Sequence, residues 1–570
     1  MKLIILPLTF LSLLLGFALL QKPARKINTT VRNAEIAICG AVPVTGLQPM
    51  ADGKFIVALP GWGNYEYPVS TKSDSSQFYF NQGLSMYYSY HFKEALASFK
   101  ESARFDPSSP MAYWGQALTM GPYYNAAHSY TKPKTIPQVL ELMNQHAETA
   151  PAREKKLIEA MNVRYSADPT DSDRAALNKA YADKLKLLVS SDPHDEYKML
   201  YIDAIMLIHA WDFWNKDGSA KLWTPEVVAL CEKVLKRNPK HPAALHYYIH
   251  LTEASRNPGL ALGGAETLRD LLPGVAHMVH MSSHAYERSG LYAKGAEVNN
   301  LADDNLRYYD LLAKNLDLAK QSPHYFAVQT YCALTGGMYK DAMHYAERSR
   351  KSVAPSPEGT YDQYVYMLPV MTMVRHGKWE EILKDNVTPD SRWVYAGLLA
   401  DFADGLAYIH TGKTDSASAS LERLKLKAKD PVLTKRRIPF NSPVQIAAIA
   451  EKILEGAILF TNNEKVKAIK SLEQAVAAED KLIYTEPKDW PIPARQFLGA
   501  YLLKYGKPAS AEKIYREDLN FNPDNGWSLV GLHQSLEAQG KSGQLVKLKQ
   551  KYRQAFVKAD KIPTNSIFMN

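Results

Sequence analysis

Cysteine is nearly absent: Cys39, Cys231 and Cys332 are the only three in 570 residues. Their number is odd and their spacing wide, so neither a disulfide framework nor a paired-cysteine metal site can be built from them. Glycine and proline are also few, 30 and 33, too few for an all-β chain that turns roughly every 8–12 residues. No GxGxxG, GxxxxGK[ST] or GxSxG motif occurs, which disfavours nucleotide chemistry and a serine-hydrolase elbow. Neither sign of charge dominates. Lys and Arg number 68 against 59 Asp and Glu, a net +9 that is too modest to point to nucleic acid. The densest basic run, from Arg423 through Lys425, Lys427, Lys429 and Lys435 to Arg436 and Arg437, reads as a solvated linker face, with a phosphate or anionic glycan site as the alternative.

What the chain does have is the composition of an ordinary folded protein, 46% apolar and 22% charged. Its length exceeds one core of ~100–150 residues, so several domains or a repeat array are expected. Long Ala/Leu/Lys/Glu segments favour helices. Residues 3–20 form a charge-free, mostly apolar run behind Lys2, the pattern of an export signal. Ala18-Leu19-Leu20 makes a poor cleavage site, so an uncleaved membrane anchor stays open. Ile38 is too bulky, and Cys39 too far downstream, for a lipoprotein signal. Cys231 and Cys332 sit in helical patterns and read as buried small hydrophobes.

A unit of ~34 residues recurs along the chain. Its clearest copy runs from Tyr79 through Gly83, Ala95 and Phe99 to Asp106-Pro107. Further copies are marked by Gly290-Leu-Tyr292, Gly337-Met-Tyr339 with Ala342, Gly377-Lys-Trp379, Gly405 with Gly412 and Ala417, Gly456 with Ala468 and Leu472, and Leu498-Gly499 with Gly506, Ala511, Tyr515 and Pro523. Trp527, Val530 and Gly531 follow a W-x-x-L-G spacing with Val in the Leu place. The pattern resembles the tetratricopeptide (TPR) repeat over about residues 77–560, with degenerate or inserted stretches near 120–200, 300–322 and 425–445. Small residues at Gly83 and Ala95 let two antiparallel helices approach, while Phe99 fills the gap between units. The phrases FNQGLSMYYSYHFKEALASFKESARFDP, MAYWGQALTMGP, HMVHMSSHAYERSGLY and EPKDWPIPARQFLGAYLL resemble a bacterial subfamily of exported TPR proteins. That resemblance implies an all-α, TPR-type α-solenoid in the periplasm or cell envelope, and a groove along the first helices that takes a protein or peptide. It implies no activity.

Histidines are concentrated where that groove is expected. His246 and His280 stand 34 residues apart, as do His250 and His284. Pro273 closes a unit whose small position is Ala261, which places His246 and His250 at repeat positions 5 and 9. His277, His280 and His284 then take positions 2, 5 and 9 of the next unit, and His324 position 2 of the one after. At ~100° per residue the i, i+3, i+7 set covers about 60° of helix surface, so the imidazoles of each helix share a face. Glu253 and Glu287 extend the two stripes and can add carboxylates. Imidazoles at i, i+4 chelate one ion, and adjacent helices complete three or four ligands, so His246, His250, His277, His280 and His284 are candidate ligands for a divalent transition metal such as Zn or Cu. The metallopeptidase version is weakened because HYYIH, residues 246–250, lacks a Glu after its first His. Two other uses stay open: a hydrogen-bonded His/Tyr network with Tyr247, Tyr248 and Tyr286, and groove donors for a partner through all six histidines with Glu253 and Glu287.

Met278, Met281, Met367 and Met371 suit copper, but in a helical array they read first as core filling. Tyr123, Tyr124 and Asn125 follow a helix stop, Trp490 opens a helix behind a Pro-rich entry, and Trp211, Trp214 and Trp223 read as a core cap. The expected organisation is a signal or anchor at 1–20, an extension at 21–75, and helix-pair arrays at 76–350 and 351–570. A groove-binding scaffold with a histidine metal site is the leading functional expectation; a metal-dependent hydrolase or oxidase built on the same histidines is the alternative.

Overall fold

Turns of three residues join the two helices of several pairs, such as Asp74–Tyr88 to Phe92–Phe105 and Ala276–Arg288 to Tyr292–Leu312, as the repeat spacing requires. A computed structural model describes residues 46–125, 130–168, 170–318, 322–385, 387–435 and 441–569. Among them are twenty-five α-helices and one isolated β-bridge, between Trp214 and Ala220. Most helices pack first on their chain neighbours, and the architecture is an all-α, TPR-type α-solenoid of antiparallel pairs. The 3–20 run and Cys39 lie outside the described residues, as do Arg436 and Arg437. Among the described residues no helix is long and apolar enough to cross a membrane.

The packing logic of the repeat is visible at Phe99. Its ring, fully buried, occupies the space that a Cβ would need on both Gly83 and Gly115. Tyr515 does the same between Gly499 and Gly531. One aromatic of the second helix thus wedges between the first helices of its own unit and the next, which only glycine backbones allow. Two large apolar cores result, one from Ile56 to Tyr325 and one from Ala327 to Ile567. Met278 and Met281 lie in the former, Met367 and Met371 in the latter, and Cys231 and Cys332 are buried thiols.

The segment ahead of the first helix is docked. Leu59 N–H donates to Gln82 Oε1 at 2.8 Å and Phe55 N–H to Glu101 Oε2 at 3.0 Å. The 120–200 stretch holds helices of unequal length, from Ile136–Gln145 to Arg174–Ser191. Ala261 is buried, but it ends the 3-10 turn Pro258–Ala261, and the helix proper begins at Leu262. Trp490 is buried edge-on against Phe402. In the basic run, Arg423 and Lys427 both pair with Asp401, and Lys425 with Glu422.

Candidate metal centre

Three first helices present the histidines. His246 and His250 lie on Pro242–Thr252, a helix started by the His241 side chain accepting from Ala244 N–H and by Pro242 at its first position. His277, His280 and His284 lie on Ala276–Arg288, and His324 lies in the first turn of Ser322–Thr335. The middle helix has no local side-chain cap. His91 provides one from the first repeat: its Nε2 accepts the His277 N–H at 3.2 Å while its Nδ1–H donates to Glu94 at 2.6 Å. A free helix-start donor is satisfied this way.

All six imidazoles are buried, none more than 3% exposed. The open inner wall expected from the repeat is therefore covered here, and these histidines offer no contact face to a macromolecule. The cover comes from elsewhere in the chain. Tyr90 sets its ring 4.6 Å from His246, Tyr124 lies 5.2 Å and Trp211 6.1 Å from His250, and Glu486 lies 3.3 Å from His284.

The imidazoles form two triads. His246, His250 and His277 bring one nitrogen each within 4.8 Å of one another, and His280, His284 and His324 do the same. His246 Nε2 is 3.1 Å from His277 Nε2. His280 Nε2 is 3.0 Å from His284 Nε2 and 3.1 Å from His324 Nε2. Three of the outward nitrogens are committed, while Nδ1 of His324 is buried without a hydrogen-bond partner. His246 Nδ1–H donates to the Tyr88 carbonyl at 2.6 Å, an oxygen left over at a helix end. His250 Nδ1 meets Glu253 Oε1 at 2.8 Å, and His280 Nδ1–H donates to Asn299 Oδ1 at 2.6 Å. Partners of this kind hold metal-ligating imidazoles in one tautomer.

Burial, followed by neighbouring imidazoles, depresses these groups. His280 is pushed down to about 4, with burial leading and the Asn299 bond opposing. Burial likewise brings His250 to about 4 and holds His246, His277, His284 and His324 well below the usual range. Neutral imidazoles with inward lone pairs are the form that ligates a metal.

Glu253 sits at the C-cap of its helix, one place past the regular helix, with its carboxyl turned back to His250. It faces Glu486. Burial pushes Glu253 up to about 8, and burial and then the charge of Glu253 push Glu486 well above the carboxylate range. Two facing carboxyls are satisfied only by a shared proton or a shared cation. His250, Glu253 and Glu486 form a third group with ligand atoms within 4.8 Å. Glu287 is half-buried and stands apart from these groups. With Tyr331, Tyr484 and Lys488 it lines a cavity of about 10 Å³, room for about one water, whose wall also includes His284 and Glu486.

Five of the six histidines were candidate ligands from spacing, and His324 was a candidate only as a groove residue. Glu486 carries no sequence signal, because it arrives from a repeat some two hundred residues away. Tyr90 did carry one. Gly290 and Gly337 take φ +71° and +72° in the second position of their three-residue turns, and Tyr90 takes φ +56° in the same position. A bulky residue there is strained by roughly 1–2 kcal/mol, and a strained aromatic against an imidazole marks a site wall.

No family model matches the chain, and no curated protein matches it. Solved structures similar over most of its length include the human IFIT1 dimer with m7Gppp-AAAA, at 12% identity over 86% of this chain and 92% of that one, TM-score 0.31. Yeast Tom70 matches at 10% identity over 84% and 93%, TM-score 0.29. The APC/C hetero-tetramer Cut9-Hcn1 matches at 11% identity over 86% and 95%, TM-score 0.26.

Proposed function

We propose that this chain is a metal-binding protein of helical-repeat architecture, in which the buried histidine cluster holds a first-row transition ion and the adjoining cavity has room for about one water beside it. One observation carries the reading. The Asn299 amide donates to the Gly295 carbonyl at 2.7 Å, so its oxygen faces His280 and the proton of His280 sits on Nδ1. His280 Nε2 therefore has a single lone pair, yet His284 Nε2 and His324 Nε2 both stand at hydrogen-bond distance from it. One lone pair accepts one donor well; a cation accepts all three nitrogens. Zn, Cu, Ni or Fe suit an imidazole and carboxylate donor set. The water-sized cavity at His284 and Glu486 supports the further step to a metal-dependent hydrolase or oxidase, because catalytic sites keep a position for water on the metal.

The test is elemental analysis of the purified, tag-free chain after exposure to Zn, Cu, Ni and Fe, beside His280→Ala and His284→Ala. Stoichiometric metal in the native chain, reduced in both variants, supports the reading. A native chain without stoichiometric metal overturns it.

A second reading, a scaffold for a protein or peptide partner, is supported by the repeat array and by Leu301, Tyr308 and Leu311, exposed apolar residues on the Tyr292–Leu312 helix. In-cell crosslinking then recovers one partner with the native chain and loses it with Leu301→Glu/Leu311→Glu. Export to the periplasm or cell envelope belongs to the same proposal and rests on residues 3–20; mature N-terminal sequencing and fractionation check it.

A further inference from the structure

We infer that the cluster is built for two metal ions, one per histidine triad, with Glu486 as the carboxylate between them. This inference rests on the metal-binding reading above and adds to it the number of ions and their pairing.

Six imidazoles are more than one four-coordinate ion can use, since a tetrahedral site takes four ligands and a catalytic one takes three from the protein. The chain divides the six evenly. A metal with nitrogen ligands at ~2.0–2.1 Å sets those nitrogens a little over 3 Å apart, and the closest contacts within the triads are 3.1 Å for His246 and His277, 3.0 Å for His280 and His284, and 3.1 Å for His280 and His324. In each triad one i, i+4 pair comes from a single helix and the third imidazole from a neighbouring first helix. His246 and His250 are completed by His277, and His280 and His284 by His324. The same construction is thus made twice, one repeat apart.

The triads adjoin. The ring of His277 is 5.8 Å from that of His280, and the ring of His250 is 6.4 Å from that of His284. Glu486 belongs to both sides: its Oε2 is 3.3 Å from His284 Nε2, and it joins His250 and Glu253 in the third group of potential ligands. A carboxylate so placed bridges ions ~3.5–4 Å apart, the separation of two-metal sites. His250 Nε2 and one Glu486 oxygen, Oε1, are buried with no hydrogen-bond partner, as expected of atoms whose partner is an ion. The cavity meets the pair on the His284 and Glu486 side, so a water there would adjoin the second ion.

The test uses the full chain and Cu2+ alone. After loading and gel filtration, bound copper is counted by elemental analysis and its spin by electron paramagnetic resonance. Two coppers per chain with a spin count well below two support the pair, because neighbouring bridged Cu2+ ions couple. His246→Asn and His324→Asn, each checked for a native thermal melt, then fall to one copper with a full single-ion signal. One copper in the native chain overturns the pair while leaving the metal-binding reading intact. Two coppers at full spin count also overturn it, placing the ions in separate sites. Absence of copper overturns the pair, and absence of Zn, Ni and Fe as well removes the metal-binding reading.

Discussion

Asn299 settles the tautomer of His280. The amide of Asn299 is itself oriented by its bond to the Gly295 carbonyl, so the only role left to its oxygen is to accept from His280 Nδ1–H. Asn299 thereby decides which nitrogen of His280 faces the other imidazoles.

Asn299→Leu removes that acceptor and frees the ring of His280. Metal affinity is expected to fall by about 10- to 100-fold, as for other losses of a ligand's outer partner, while Asn299→Asp, which keeps an acceptor, retains most of it. Competition with a chromophoric chelator reads both. Equal affinities for all three chains would show that the bond orients nothing.

Tyr90 stands where neighbouring repeats place glycine. Removing its buried ring destabilises the chain in either replacement, but Tyr90→Gly relieves the positive φ and Tyr90→Ala does not. Urea unfolding is expected to find the alanine variant less stable than the glycine variant by about 1 kcal/mol. The opposite order would remove the strain argument.

Gly115 and Phe99 form the wedge between the first two units. A Cβ at Gly115 would lie 2.3 Å from a carbon of the Phe99 ring, so Gly115→Ala is expected to cost about 1–3 kcal/mol through overpacking. Combined with Phe99→Leu, the loss should be smaller than the sum of the two single changes, since both act on one contact. Simple additivity in denaturant titrations would contradict the packing described here.

Glu196 supplies a pH dependence away from the histidines. Burial raises its carboxyl from 4.5 to about 7, against the opposing hydroxyls of Tyr65 and Tyr88. The folded chain holds this proton more tightly than the unfolded chain. Its contribution is therefore full below pH 4.5 and drains away as pH rises through 7, amounting to ~3 kcal/mol for a shift of that size. Glu196→Gln cannot ionise, so the metal-free variant should lose less stability than the native chain between pH 4.5 and 8. Parallel stability curves would show that Glu196 is ionised in the folded state throughout.

Much of the fold was legible because repeat packing is local. Gly83, Ala95, Phe99, Gly499 and Tyr515 are spaced by the geometry of one helix pair on the next, and that geometry repeats in the chain as a period. The shared faces of His277, His280 and His284 follow from helical pitch in the same way. The reach of Glu253 back to His250 was legible as a stripe, although the helix stops one residue before it. Glu486 was not legible, since its approach to His284 depends on how distant repeats meet, which no local spacing encodes. Burial of the histidines was missed for the same reason: a repeat frame exposes its first helices, and here Tyr90, Tyr124, Trp211 and Glu486 cover them.

By itself the sequence determined the helix pairs, their register and the alignment of imidazoles along each first helix, because all three depend on contacts within one or two repeats. Only the tertiary structure decided that the imidazoles are buried, that they divide into two triads, and that a carboxylate from the second half of the chain stands between them. Those features depend on side chains far apart in sequence meeting in three dimensions, where desolvation and the direction of each lone pair take effect.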